Sequence, residues 1–135
     1  EGDSRADLES QIAAHGLQDW VYLPSWANNP FPWFAGAWAF VMSSRSEGLG
    51  NTLIEAMACG CACISADCDF GPRDIITSEV NGLLVPAESS EALAQALDRL
   101  MADDTFKQAL QQGAMERAKD FDLPLLAQQW VKLIA

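Results

Sequence analysis

Two glutamates eight positions apart, Glu47 and Glu55, flank a loop that precedes a predicted helix. Gly48 and Gly50 in this loop let a ligand approach the backbone closely. The amides of residues 51–53 are the unpaired donors of a helix start, and such donors bind phosphate. Carboxylates repel phosphate but accept hydrogen bonds from vicinal hydroxyl groups. The arrangement therefore indicates a nucleotide sugar, with ribose and hexose on either side of the phosphates.

A purely structural interpretation of the same residues stays open. A carboxylate near the start of a helix stabilises the helix dipole. Glycine loops before helices are common and are weak indicators of a site by themselves.

The elements that must position these residues alternate between strand-like and helix-like patterns. This alternation predicts a parallel α/β sheet with helices on both faces. We expect Asn51 to cap the helix that carries Glu55, and Gly60 to end it. The other helices are expected from residues 3–4 to 14, at 34–38, at 74–77, from Ser89 or Ser90 to about 101, and around 106–114 and 126–134. Strands are expected at 21–23, 39–43, 63–66 and 82–85.

Several segments resemble, in order and spacing, the donor domain of retaining GT-B glycosyltransferases, especially glycosyltransferase family 4. The central match is SSRSEGLGNTLIEAMACG, which contains the family's E-x7-E signature, and it is followed by CISADCDFGPRDII and NGLLVP. Upstream, EGDSRADLESQIAAHGL and VYLPSWANNPFPWFAGAWAFVMSS are also similar. The resemblance covers nearly the whole chain and implies a Rossmann-like sheet.

The resemblance implies a role for each matching residue. Glu47 corresponds to the glutamate that contacts the donor sugar at the catalytic centre, and Glu55 to the one that holds the ribose hydroxyls. The amides of the glycine loop (residues 48–52) would approach the diphosphate and the sugar. Arg73 either supplies positive charge at the interdomain cleft or is a surface or capping residue. The glycine loop consists of Gly48, Leu49, Gly50, Asn51 and Thr52. The place where the base of the nucleotide rests in the family is matched by Leu23 and Pro24. A turn that faces the interdomain cleft is matched by Gly71, Pro72 and Arg73.

The resemblance also implies that residues 1–135 are a partial C-terminal GT-B domain. The family's first two strands, the basic clamp for the diphosphate and the N-terminal acceptor domain have no counterpart here. In the strand order 3-2-1-4-5-6, residues 21–23 would be the third strand, separated from the fourth by roughly 14 Å. We therefore expect that the isolated chain transfers no sugar, and that an exposed sheet edge allows self-association. No cofactor is expected, because the nucleotide-diphosphate sugar is a substrate.

Composition excludes other classes of partner. Eight basic against 19 acidic residues give a net charge of −11, which argues against nucleic-acid binding and docking on anionic lipid. The longest apolar run, residues 34–42, is too short to span a bilayer, and no secretory signal is visible. We expect a cytoplasmic protein that contacts the inner face of the membrane only through other parts of the full-length protein. Nucleotide-sugar-binding and α/β interaction modules without catalytic activity are the alternatives.

The cysteines, the histidine and the aromatic residues each have a structural and a functional interpretation. The cysteine spacing favours small buried thiols over a metal site or a disulfide. His15 is expected to be a capping or surface residue at a helix end. Eight aromatic residues lie between positions 20 and 40. They are interpreted either as core and as surface that other parts of the enzyme cover, or as a wall on the acceptor side, a contact with a lipid carrier or a base-stacking site. The cysteines are Cys59, Cys61, Cys63 and Cys68, and the aromatic residues most expected to be exposed are Trp26 and Trp33.

Overall fold

The structure, a computed structural model, describes residues 2–134, which form two compact units divided between Pro30 and Phe31. The first unit contains helix α1 (Arg5–Ala14) and an extended segment. His15 is the C-cap of α1, and Gly16 follows it with φ +66°. Glycine adopts this backbone conformation without the penalty of a Cβ. The predicted helix and the capping position of His15 are confirmed.

The predicted strand at residues 21–23 is wrong. The amide of Val21 donates to the Leu17 carbonyl at 2.9 Å, so the chain enters this segment from a helical turn. The Leu23 carbonyl accepts from the Arg5 guanidinium at 3.1 Å. A strand needs a neighbouring backbone to complete its ladder. No strand of the described residues 2–134 pairs with this segment, which has no regular secondary structure.

The second unit is built on a three-stranded parallel sheet with the order β1-β2-β3, as expected for consecutive strands of an α/β fold. Ile64 pairs with Val41 on one side and with Leu83 on the other. The three other predicted strands are confirmed, with ends that differ by at most one residue. Their bounds are β1 (Phe40–Met42), β2 (Cys63–Asp67) and β3 (Leu83–Pro86).

The helices of the second unit follow the predicted order with shifted ends. Gly50, rather than Asn51, is the N-cap of α3. The short helix expected at 74–77 begins instead at Pro72, because proline suits the first helical position. The helices are α2 (Phe31–Gly36), α3 (Asn51–Ala58), α4 (Pro72–Ile75), α5 (Ser90–Ala102), α6 (Asp104–Ala118), a 3-10 turn (Lys119–Phe121) and α7 (Leu123–Ile134).

Helices cover both faces of the sheet, as predicted, and create two apolar cores. Cys63 packs into one core with α3, while its neighbour Ile64 packs into the other with α5 and α6. This alternation follows from the two-residue period of a strand. No helix among residues 2–134 combines the length and apolar character needed to cross a membrane. The largest fully buried side chains are Leu53, Met57, Ile64, Ile75, Leu100 and Leu110.

Candidate functional site

The glycine loop connects the carboxyl end of β1 to the first turn of α3, as predicted. Gly50 is buried and has φ +88° and ψ +49°, so it turns the chain sharply into the helix. A Cβ on Gly50 would lie 3.4 Å from Met42 Cε and 3.7 Å from Ile75 Cδ1. Gly50 offers no side-chain cap to the helix, and Asn51 and Thr52 in its first turn are exposed. The prediction of unpaired amides at 51–53 is wrong for Leu53, because its amide donates to the Gly50 carbonyl at 2.9 Å and the residue is fully buried. The part of this helix start that is open to solvent is therefore the first two residues of α3.

Glu47 and Glu55 lie before and after this helix start along the chain. Glu47 precedes the glycine loop, and Glu55 is the fifth residue of α3. Both residues are half-buried. Within residues 2–134, neither carboxylate accepts a hydrogen bond or forms an ion pair. Four carboxylate oxygens therefore remain as acceptors for hydroxyl groups beside the helix start.

The turn after β2 packs directly against the glycine loop. Ser46 forms a parallel β-bridge with Asp69, which extends the pairing beyond the strands. Gly71 has φ +81° and ψ −79°, and a Cβ there would lie 2.7 Å from the Leu49 carbonyl carbon and 3.2 Å from Leu49 Cα. Only glycine fits this contact. The structure thus brings together the two turns that the sequence assigned to the site.

Arg73 takes the surface position that one of its two interpretations predicted. Its Nε donates to Asp67 Oδ1 at 3.0 Å, and the pair is exposed. Asp67 is the last residue of β2, so this ion pair joins the strand to the first turn of α4. Exposed pairs of this kind contribute about 0–1 kcal/mol to stability. A role of Arg73 towards a ligand stays a prediction.

Asn81 is a structural residue of this edge that the sequence analysis missed. Its Oδ1 accepts from the Thr77 amide at 2.8 Å, and its Nδ2 donates to the Ile75 carbonyl at 3.4 Å. The side chain is buried and closes the turn that follows α4. The Asn-Gly sequence at 81–82 was the available signal, since this dipeptide marks turns.

A cavity of about 410 Å³ opens at the carboxyl ends of the strands beside the start of α5. Arg45 and Glu88 lie at its rim, with Nε and Oε1 3.9 Å apart, and both side chains are largely exposed. Its walls combine hydroxyl groups with apolar side chains. Its residues include Ser43, Ala66, Val85, Ser89, Ser90 and Leu93. Glu47 and Glu55 are not among the lining residues, so this cavity is separate from the helix start that they flank.

The two residues predicted to lie where the base rests belong to the first unit. Leu23 and Pro24 line a cavity of about 310 Å³ beside the start of α1, together with Arg5 and Leu8. Three aromatic side chains of this unit are strongly exposed: Trp20, Tyr22 and Trp26.

In the second unit, Phe34 is buried and packs edge-to-face on Phe40 with ring centroids 5.6 Å apart. Trp33 is 55% exposed. The aromatic stretch therefore divides between core and surface, and both predicted exposed tryptophans, Trp26 and Trp33, are exposed.

The cysteines lie mainly in the interior. Cys61, Cys63 and Cys68 are buried, whereas Cys59 is half-buried, and all four are free thiols. Cys61 Sγ donates to the Phe34 carbonyl at 2.9 Å. Burial raises the pKa of the Cys63 thiol well above its usual value, and it raises the pKa of Cys61 in the same direction. Both thiols are thus held in the protonated, unreactive form. Among residues 2–134, no group of three or more side chains has the placement of a metal site.

Comparisons with known proteins identify the family of this chain. The family model described as glycosyl transferases group 1 matches residues 1–103. The chain is 32% identical over 134 residues to N-acetylgalactosamine-N,N'-diacetylbacillosaminyl-diphospho-undecaprenol 4-alpha-N-acetylgalactosaminyltransferase of Campylobacter jejuni. This alignment covers 99% of the chain and 37% of that relative. The chain thus spans little more than a third of the relative's length.

Solved structures show the same architecture. The pneumococcal O-GlcNAc transferase GtfA, crystallised with UDP and GlcNAc, matches with a TM-score of 0.86 and 25% identity, over 98% of this chain and 27% of GtfA. The C-terminal domain of a glycosyl transferase group 1 family protein (LpcC) from Francisella tularensis matches with a TM-score of 0.76 and 28% identity, over 87% of this chain and 61% of LpcC. The fold is therefore that of a GT-B C-terminal domain, as the resemblance implied.

Proposed function

Because the chain belongs to the glycosyl transferases group 1 family, we propose that residues 1–135 are part of a nucleotide-sugar-binding domain. The complete protein would be a retaining glycosyltransferase. It would transfer a sugar from a nucleotide-diphosphate donor to an acceptor with retention of the anomeric configuration. The Campylobacter relative is named for a saccharide linked to diphospho-undecaprenol. This name favours a role in the synthesis of a cell-surface glycan or glycolipid.

The observation that carries this proposal is the pair of half-buried carboxylates without partners among residues 2–134, one before and one after the α3 start in the chain. The exposed first two residues of α3 add amides that favour phosphate. Glu55, on the helix, is proposed to accept hydrogen bonds from the ribose hydroxyls. Glu47, in the preceding loop, is proposed to contact the donor sugar at the catalytic centre. The donor needs no further cofactor in this scheme, because the leaving nucleotide diphosphate is part of the substrate.

Calorimetric titration of the full-length protein with UDP tests these roles. UDP is the first probe because GtfA was crystallised with it. A charge-assisted hydrogen bond contributes about 1.5–3 kcal/mol, so we expect E55A to weaken UDP binding by about 10- to 150-fold. E47A should affect UDP binding less and instead change the discrimination between UDP-sugars. The matched control is E91A, which removes an exposed carboxylate from the first turn of α5.

The control separates ligand recognition from general effects of charge. E91A lowers the negative charge of the chain by the same amount and also removes a helix-dipole interaction. If E55A weakens UDP binding no more than E91A does, and E47A changes the discrimination between UDP-sugars no more than E91A does, the two glutamates have no role in donor binding. If the wild-type protein binds neither UDP nor another nucleoside diphosphate, the nucleotide-sugar proposal is wrong, and the α/β interaction module becomes the better interpretation.

Binding without sugar transfer would favour the second candidate, a non-catalytic nucleotide-sugar-binding module. We expect the 135-residue chain by itself to show no sugar transfer. Transfer requires an acceptor positioned beside the donor and stabilisation of the leaving diphosphate. In the full-length protein, an acceptor domain of the same polypeptide is proposed to supply these groups. Radiolabelled sugar transfer by both proteins, measured under the same conditions, distinguishes the two candidates.

The proposal extends to location and assembly. The full-length enzyme is proposed to work in the cytoplasm, at the inner face of the membrane. β1 pairs only with β2, so its other edge carries no strand among residues 2–134. An unpaired strand edge can bind another strand, and self-association through β1 is proposed for the isolated chain. Sedimentation velocity at increasing protein concentration tests it, and a strictly monomeric chain would contradict it.

A further inference from the structure

Arg117, on the last turn of α6, holds the end of the short helix α4. Its Nη2 donates to the Asp74 carbonyl at 2.6 Å, and its Nε donates to the Ile75 carbonyl at 3.1 Å. These carbonyls belong to the last two residues of α4. Nη1 pairs with Asp120 Oδ2 at 2.7 Å, and the guanidinium stacks 4.9 Å from the centre of the Phe121 ring. One guanidinium thus uses all of its nitrogen atoms in contacts at this single place.

The same residues of α4 are bonded to Gly71. The Gly71 carbonyl accepts from the Asp74 amide at 2.9 Å and from the Ile75 amide at 3.2 Å. A helix of four residues has few internal hydrogen bonds, and short helices depend on tertiary contacts for their stability. The position of Gly71 therefore depends on the contacts at the other end of α4, where Arg117 binds.

Gly71 in turn touches the glycine loop. The Cα of Gly71 lies so close to the backbone of Leu49 that a Cβ on Gly71 would overlap the Leu49 carbonyl group. Ile75 adds a second contact, because its Cδ1 lies near Gly50. A displacement of α4 must therefore displace both residues of the loop or open a gap beside them. Packed interiors transmit small shifts in this manner because they contain few voids.

We propose that Arg117 is a positioning residue for the glycine loop, acting through α4 and Gly71 on Leu49 and Gly50. It touches no donor atom itself. Its two backbone hydrogen bonds fix α4, and α4 fixes the loop in the conformation that accepts the nucleotide diphosphate. The effect on nucleotide affinity rests on the function proposed above, whereas the effect on the loop does not.

The experiment compares R117A with R99A in the full-length protein. Arg99 is a close match, since it pairs with Glu79 and stacks 4.2 Å from the Phe106 ring centre, but it contacts neither α4 nor the loop. The readouts are hydrogen–deuterium exchange of the amides at 48–52 and UDP affinity. For R117A we expect faster loop exchange and UDP binding weaker by about 2- to 30-fold. For R99A we expect wild-type values of both.

Each outcome decides the proposal. Loop exchange that is unchanged in R117A, or raised equally in R99A, overturns it. If the wild-type protein binds no UDP, the nucleotide-sugar function fails, and the exchange data still decide whether Arg117 positions the loop. If R117A does not fold, R117K replaces it, because lysine keeps the charge for Asp120 but offers no planar fork to two carbonyls. Wild-type loop exchange in R117K would then overturn the proposal.

Discussion

Replacing Gly71 by alanine is expected to destabilise the protein through two separate effects. The added Cβ would lie 2.7 Å from the carbonyl carbon of Leu49, and this neighbour is backbone, which cannot rotate away as a side chain can. In addition, φ +81° with ψ −79° is a conformation that residues with a Cβ rarely adopt. The substitution therefore introduces both a steric overlap and backbone strain.

The expected magnitude follows from these two effects. A residue held in a sparsely populated region of backbone space costs about 1–3 kcal/mol. Overpacking of a close contact costs about another 1–3 kcal/mol. Together they lower the free energy of unfolding by about 2–6 kcal/mol, a large part of the 5–15 kcal/mol that is typical of a folded protein.

Urea unfolding followed by tryptophan fluorescence and circular dichroism measures this loss. The matched control is Gly60→Ala, because Gly60 has φ +79° in the same unit. A Cβ on Gly60 would meet only the flexible Met115 side chain, with Sδ at 3.4 Å. Gly36→Ala is the second control, since its added Cβ would meet nothing within 4 Å and its φ is not positive.

The three variants rank the two effects. We expect Gly36→Ala to have little effect and Gly60→Ala to show the strain of a positive φ without an overlap. Gly71→Ala should lose more stability than Gly60→Ala, because it adds the overlap and the strain of ψ −79°. Equal losses in Gly60→Ala and Gly71→Ala would refute the close contact between Gly71 and Leu49, and with it the route by which α4 supports the glycine loop.

Two further predictions concern α5 and its surroundings. Ser89 is the N-cap of α5 and accepts a hydrogen bond at 3.2 Å from a backbone amide of the first turn. S89A should therefore lower the free energy of unfolding by about 1 kcal/mol, whereas S90A next to it should not; equal losses would contradict the capping role. The hydrogen bond that Arg99 donates lowers the pKa of the Glu79 carboxyl below its usual range, and the positive charge of Arg99 lowers it further by a smaller amount. A carboxyl with a lowered native pKa stabilises the folded state at pH values above its unfolded pKa, and this contribution disappears as the pH falls through the native pKa. The stability difference between wild type and E79Q should thus be present at pH 7 and shrink below about pH 4.3; a difference that grows in acid would contradict this sign.

The strands and the main helices could be predicted because their signals are local. β2 is a short apolar run between Gly60 and a glycine-proline turn, and α5 begins at a serine cap followed by leucines at helical spacing. Glu47 and Glu55 were placed correctly on a loop and on the first turns of a helix for the same reason. One loop and one helix contain both residues, so no long-range contact was needed to relate them.

The segment at residues 21–23 could not be predicted from its own residues. Its apolar and aromatic composition is typical of a strand, but composition does not supply a partner. The backbone bonds of this segment go instead to the preceding turn and to Arg5. Strand formation is a property of two neighbouring segments, and the sequence of one segment describes only half of it.

The contact between Gly71 and Leu49 shows what local patterns omit from the site itself. The sequence marks both residues as turn residues, but 22 positions separate them, and no periodicity relates a glycine after β2 to a leucine after β1. Parallel strands end at the same edge of a sheet, so the loops that follow β1 and β2 are neighbours, as the Ser46–Asp69 bridge shows. The strand order therefore implies that the two turns meet. The absence of a Cβ on Gly71 determines how closely they meet, and the conformation of the glycine loop follows from this distance.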